Sequence, residues 1–156
     1  MEYKDVLNQI EEILARTKFA VLATANKEGI VSASQMSIVN DGLKIYFQTD
    51  STFEKVKNIK ENPNVAINIG AYYFKGIAKI AGHPTENKLF INELKEKHLK
   101  AYNSYTKLPN EVLIEIKLTE ARIWGIDKQK DVDTQETIQV VDLVNKKINT
   151  TICDKM

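Results

Sequence analysis

The sequence holds a single cysteine, Cys153, so no internal disulfide can form and no cysteine metal cluster can be built. No apolar run approaches the roughly 18–20 residues that a membrane helix requires. The opening Met1-Glu2-Tyr3-Lys4-Asp5 lacks the basic-then-apolar layout of a secretory signal. Neither sign of charge is in excess: 22 Lys and Arg face 21 Asp and Glu, for a net charge of +1. That balance argues against a nucleic-acid or anionic-membrane partner but leaves room for a local pocket holding one phosphate. Also missing are a G-x-G-x-x-G after the first strand-like run and any βαβ alternation, which argues against a Rossmann fold. These absences together lead us to expect a reduced, cytoplasmic domain.

At 156 residues the chain fits one domain, and its 43% hydrophobic content can supply a core. Val6, Ile10, Ile13 and Leu14, with Leu7, form one apolar stripe and predict a helix from about Glu2 to Arg16. The period then changes. Phe19 to Ala25 reads as a strand closed by the turn chemistry of Asn26-Lys27-Glu28-Gly29, and a second strand runs from Ile30 to about Val39. Asn40-Asp41-Gly42 signals a tight hairpin into a third strand, Leu43 to Thr49.

Ser51 and Glu54 have capping-box spacing before a short helix whose stripe is Phe53, Val56 and Ile59, stopped at Asn62-Pro63. Val65 to Phe74 and Ile77 to Ala81 read as two strands joined at Lys75-Gly76. A helix capped by Thr85 is expected from about Glu86 to Tyr105, with His98 on its solvated face. Val112 to Leu118 is a further strand that Ala121 to Ile126 extends or pairs with. Thr137 to Val144 reads as a peripheral strand before a turn at Asn145-Lys146. The expected fold is mainly β with peripheral helices, a small antiparallel barrel.

The stretch from Thr49 to Lys55 has the chemistry of a phosphate site. A helix start offers unpaired N–H groups and the positive dipole end, to which Thr49, Ser51 and Thr52 add hydroxyls and Lys55 a full charge. Spacing alone describes an ordinary capped helix with a solvated lysine better than a phosphate site, because capping boxes are common.

The sequence from Phe19 to Pro63 resembles the pyridoxamine-phosphate-oxidase-like flavoprotein superfamily, including its general-stress-protein and nitroimidazole-resistance-related branches. The resemblance is carried by Ala20-Val21-Leu22-Ala23-Thr24, the Gly29 turn, the strand Val31 to Ser37 and Gly42 to Thr49. The block Lys55-Val56-Lys57-Asn58-Ile59 with Asn62-Pro63-Asn64-Val65 completes it. Weaker similarity reaches Trp124. The resemblance implies a six-stranded-type split β-barrel over residues 1–126, with 127–156 as an extension packed on or beside it. It further implies a homodimer that binds FMN at its interface. In that picture Thr49 and Lys55 match the phosphate-binding positions, with Gln48, Ser51 and Thr52 beside them. Ser34, Gln35 and Met36 lie on the strand that meets the flavin ring, and Trp124 approaches the ring from the partner subunit. Phe53 and Glu54 depart from the serine and basic residue that many members carry there.

The expected function is an FMN-dependent oxidoreductase working with a small-molecule electron donor or acceptor. No nucleophile–base–orienter set is visible, so no residue is expected as catalytic acid or base. After Trp124 the chain reads Gly125-Ile126-Asp127-Lys128, without the arginine- and histidine-bearing segment of a true pyridoxamine-phosphate oxidase. The alternatives are a non-catalytic flavin-binding or sensing module, or the same barrel carrying haem or a deazaflavin. Tyr72, Tyr73, Phe74 and Trp124 are the aromatic residues expected at a dimer interface.

Overall fold

The computed structural model describes residues 2–127 and 135–153. Helix α1 (Tyr3–Arg16) leads into β1 (Phe19–Ala25), β2 (Val31–Ser37), β3 (Val39–Asp41) and β4 (Lys44–Asp50). Helix α2 (Glu54–Glu61), β5 (Asn64–Ile69) and β6 (Tyr72–Ile80) follow. A 3₁₀ turn (Pro84–Glu86) precedes α3 (Lys88–Lys97) and α4 (Leu99–Tyr105), and β7 (Glu111–Asp127), β8 (Gln135–Asp142) and β9 (Lys147–Cys153) end the described chain. Of the expected extension 127–156, residues 128–134 and 154–156 lie outside the described residues.

All strand pairs are antiparallel, and the sheet runs β2-β1-β5-β6-β7-β4-β3 with the β8–β9 hairpin added to β7. Its two outer strands, β2 and β3, are joined by the single residue Ile38, so the sheet must curl until they meet at that corner, while the outer edge of β2 pairs with no strand among the described residues. The result is a split barrel in which seven strands curve and a hairpin extends one of them. Inside lie Leu22, Ile45, Phe47, Ile67, Phe74, Ile114 and Ile116. Val6, Ile10 and Leu14, all on one face of α1, join the same core, as the helical period requires. Outside the β3–β4–β7 end, Phe90 and Leu94 of α3 cover Val39, Tyr46 and Leu113 in a second, smaller core.

Several local expectations are corrected. The strand expected from Ile30 to about Val39 is two, β2 and β3, broken at Ile38 and lying at opposite edges of the sheet. The turn between β5 and β6 falls at Gly70, whose φ of +55° suits glycine, rather than at Lys75-Gly76, and β6 runs through that pair with a bulge. Gly76 is needed for space: an added Cβ would sit 2.6 Å from Ile116 Cγ2 and 2.9 Å from the Lys117 carbonyl oxygen. The helix at α2 starts after Phe53 and has no side-chain cap, so Ser51 and Glu54 form no capping box. Ser51 N donates instead to the Asn110 carbonyl at 2.8 Å, and Asp50 Oδ1 accepts from Thr52 N at 2.8 Å and Thr52 Oγ1 at 2.7 Å, which sets the loop. Phe53 is consequently exposed, while Val56 and Ile59 are buried. The expected Glu86–Tyr105 helix is two helices. Asn87 caps α3 through Phe90 N, the chain breaks at His98, and Thr85 instead meets His83 Nδ1 in the preceding turn.

His98 is buried, not solvated. Its Nε2 lies 3.1 Å from the Ile38 carbonyl and its ring 5.7 Å from the Phe19 ring centre. Burial holds the imidazole below its ordinary pKa, with Lys97 and Lys18 adding to the effect and the Ile38 bond opposing it. A base whose folded pKa is depressed gives stability that is full above the ordinary value near 6.5 and is lost as pH falls through the folded value. The melting temperature should therefore drop between pH 7.5 and 5, at about 2–4 °C per kcal/mol for a chain this size. His98→Gln should flatten that slope; an unchanged slope would assign the acid sensitivity elsewhere.

Candidate functional site

The Lys55 end of α2 is held against the barrel from below. Asn58, one turn on, is 3% exposed, and its amide donates to Thr24 Oγ1 at 3.0 Å and Ser32 Oγ at 3.3 Å. Those two hydroxyls are themselves 3.1 Å apart across the β1–β2 pair, and Glu61 accepts from Lys27 N at the far end of the helix. The asparagine of the Lys55–Ile59 block thus ties α2 to the strand that carries Ser34, Gln35 and Met36. Its role was not read from the sequence; a buried amide three residues after the lysine was the available signal.

Lys55 is half-buried, and desolvation lowers its pKa. None of the four ion pairs among the described residues includes it, and its Nζ sits 5.2 Å above the Phe53 ring. A partly desolvated ammonium beside the unpaired N–H groups of a helix start is electrostatically set for an anion. Thr49 is buried at the end of β4, and Ser51 N donates to Asn110 O at 2.8 Å, fixing the loop before the helix. Thr52 contributes less than its hydroxyl suggests, because that hydroxyl is spent on Asp50. The two bonds from Thr52 hold Asp50 below the usual carboxylate range. Opposite it on β7, Glu111 is buried and pushed up, chiefly by desolvation and then by Asp50.

Gln35, Met36 and Gln48 come together in a cleft of about 180 Å³ between β2, β4 and the α3–α4 pair. Gln48 is pinned there, its Nε2 donating to Ala101 O at 3.4 Å and its Oε1 accepting from Thr106 Oγ1 at 2.9 Å. Ser34 stands next along β2, its hydroxyl 3.8 Å from Met36 Sδ. Because β2 is an outer strand of the sheet, one row of its backbone groups is open to a ligand.

Trp124 is not with them. Thr49 pairs with Val112, and at about 3.3 Å per residue Trp124 stands on the order of 40 Å further along β7. It is 41% exposed on the outer face of the sheet, beside Ile138. That face continues across the register into Tyr73, Ala66, Ala23 and Ala33, and a shallow groove of about 430 Å³ runs over it between Val31 and Ile77. Two of the expected interface aromatics point the other way. Phe74 is core, and Tyr72, on the same inner face, accepts from Gln9 at 2.6 Å.

His83 holds a loop: its Nε2 meets the Leu108 carbonyl at 2.9 Å. No cluster of three or more His, Cys, Asp or Glu suited to a metal occurs among the described residues. No helix among them is long and apolar enough to cross a membrane.

A family model described as pyridoxamine 5'-phosphate oxidase matches residues 6–125. General stress protein 26 of Bacillus subtilis (strain 168) is 29% identical over 143 residues, spanning 86% of this chain and 99% of that protein. Two solved structures share the fold. A pyridoxamine 5'-phosphate oxidase-related, FMN binding protein from Nostoc punctiforme PCC 73102 superposes with a TM-score of 0.58 at 11% identity, covering 97% of this chain and 95% of its own. The heme storage protein HutZ from Vibrio cholerae does so with a TM-score of 0.60 at 16% identity, covering 76% and 91%.

Proposed function

From the premise that this chain belongs to the pyridoxamine 5'-phosphate oxidase family, we propose that it is a homodimeric FMN-binding flavoprotein that serves as an oxidoreductase. The observation that carries the reading is Lys55, a half-buried ammonium outside every ion pair among the described residues, at the start of a helix that Asn58 ties to the barrel. Its residues suit the group. Lys55, Thr49, Ser51 and the first N–H groups of α2 would hold the phosphate, and the open edge of β2 from Ser34 to Met36, with Gln48, would align the ring. FMN, when bound, supplies hydride transfer. The protein's part is to orient, to exclude water and to offer hydrogen-bond donors. A cytoplasmic location belongs to the same reading.

The uncovered outer face supports the dimer. Val21, Val31, Ile77 and Trp124 are all exposed on it, and the alanines at its centre permit a close approach by a second sheet. Trp124 cannot serve its own subunit's Thr49–Lys55 site, so any contact it makes with bound FMN belongs to the partner's site. The haem alternative draws on the fold shared with HutZ, but His98 is committed to Ile38 and His83 to Leu108, which leaves FMN the better fit.

Titration of cofactor-free protein with FMN and riboflavin tests the reading. Lys55→Ala should weaken FMN roughly 10- to 100-fold, as loss of a charge-assisted bond of about 1.5–3 kcal/mol implies, and leave riboflavin unchanged. Equal affinity of wild type for both ligands would remove the phosphate site. A Soret band in the purified protein in place of flavin absorbance would favour haem.

A further inference from the structure

The cleft between β2, β4 and the α3–α4 pair has a chemistry that the phosphate site does not explain. Gln35, Met36, Gln48, Leu94, Ala101 and Tyr105 line it with Ser37, and none of these residues carries a charge. No lysine lines it, and of those on the neighbouring helices Lys95 Nζ lies 4.8 Å over the Tyr102 ring while Lys97 Nζ donates to Leu14 O at 3.3 Å. An ionic ligand entering the cleft would lose water without meeting a counter-charge, which is costly. Its volume, about 180 Å³, is close to the roughly 150 Å³ of a cavity known to take benzene. Leu94, 1% exposed, and the Met36 thioether offer an apolar, polarisable surface suited to a ring. Gln48, with one N–H and one lone pair already used, still has one of each to give, and Gln35 is exposed at the rim.

We propose that this cleft binds an uncharged, single-ring aromatic molecule bearing a carbonyl or amide group. As a binding site the cleft stands on its own lining; as the seat of FMN's reaction partner it rests on the flavin reading. Its position beside Gln35 and Met36 places the ligand next to the strand proposed to align the flavin, so the site selects reactants by neutrality and size. A phosphorylated or carboxylated substrate is excluded by the same lining.

Three probes of nearly one shape separate charge from fit: benzamide, benzoate and benzamidine. Calorimetry or NMR titration of the full chain, with and without saturating FMN, should show benzamide binding at least tenfold tighter than either ion in both states. Ala101→Phe, which fills the cleft, should abolish it. Gln35→Glu, at an exposed position that does not endanger folding, should shift the benzamidine-to-benzamide ratio in FMN-free protein at least tenfold toward the cation. Equal binding of the three probes, or a ratio unmoved by Gln35→Glu, would overturn the proposal. So would displacement of benzamide by FMN, since the cleft would then be the ring's own seat. Benzamide binding as described in a protein that fails to bind FMN would uphold the cleft and remove the flavin reading instead.

Discussion

Ala23→Arg should turn the proposed dimer into a monomer. Ala23 lies at the middle of the outer face, paired with Ala33 on one side and Ala66 on the other, a strip of three methyl groups across three strands. A two-fold interface repeats every substitution, so two guanidinium groups would be brought into one dry contact with no carboxylate among their β1, β2 and β5 cross-strand neighbours. Desolvating unpaired charge at an interface centre costs several kcal/mol, so dimer affinity should fall roughly 100-fold or more. Light scattering after size exclusion reads this directly, with wild type at twice and the variant at the chain mass of 17.8 kDa. On the reading in which Trp124 reaches the partner's site, FMN affinity should fall with it. A wild type that is monomeric with FMN bound would end the dimer reading, and a variant that stays dimeric would place the interface on another face.

Gly76→Val should cost about 3 kcal/mol, the upper end for overpacking, and lower the melting temperature by roughly 6–12 °C. The added Cβ meets both Ile116 and the Lys117 backbone at β7, and backbone cannot swing aside as a side-chain tip does. Gly29→Val is the useful contrast: a Cβ there meets nothing within 4 Å, so its cost is conformational, from a φ of +83°. Thermal melts of the two variants should rank Gly76 as the more damaging. The reverse order would mean that β6 and β7 can separate at the bulge more easily than their register implies.

How much of this was legible depended on whether the signal was local. The α1 stripe, the β1 run, the Asp41-Gly42 hairpin and the alternation in β7 are dictated by near neighbours, and each appears where its pattern predicts. Lys75-Gly76 looks like a turn because glycine in sequence does not say whether it is wanted for its φ or for its missing Cβ. Only the approach of β7 reveals the second. Ser51 and Glu54 have capping spacing, but Ser51 N is taken by the Asn110 carbonyl, 59 residues away, and Asp50 sets the loop through Thr52. His98 looked solvated among lysines and glutamates because its partner, Ile38, is 60 residues away. The β8–β9 hairpin was half seen, since the turn and β8 read from composition whereas β9 shows no clear alternation. For the candidate site, residue types were readable at Thr49 to Lys55, whereas the separation of Trp124 follows from the length of β7, which pattern alone left open as one strand or two.

That length has a consequence for how the chain is made. β7 alone pairs with β4, β6 and β8, so it joins the two halves of the sheet. During synthesis the β1–β2 and β3–β4 hairpins can form as they leave the ribosome, yet β4 and β6 keep open edges until residues 111–127 have emerged. Closure is therefore a late, long-range step of the kind that sets slow folding in β proteins. A ribosome that stalls before Glu111 would release a nascent chain with two unpaired, partly apolar edges, a substrate for chaperones or for aggregation.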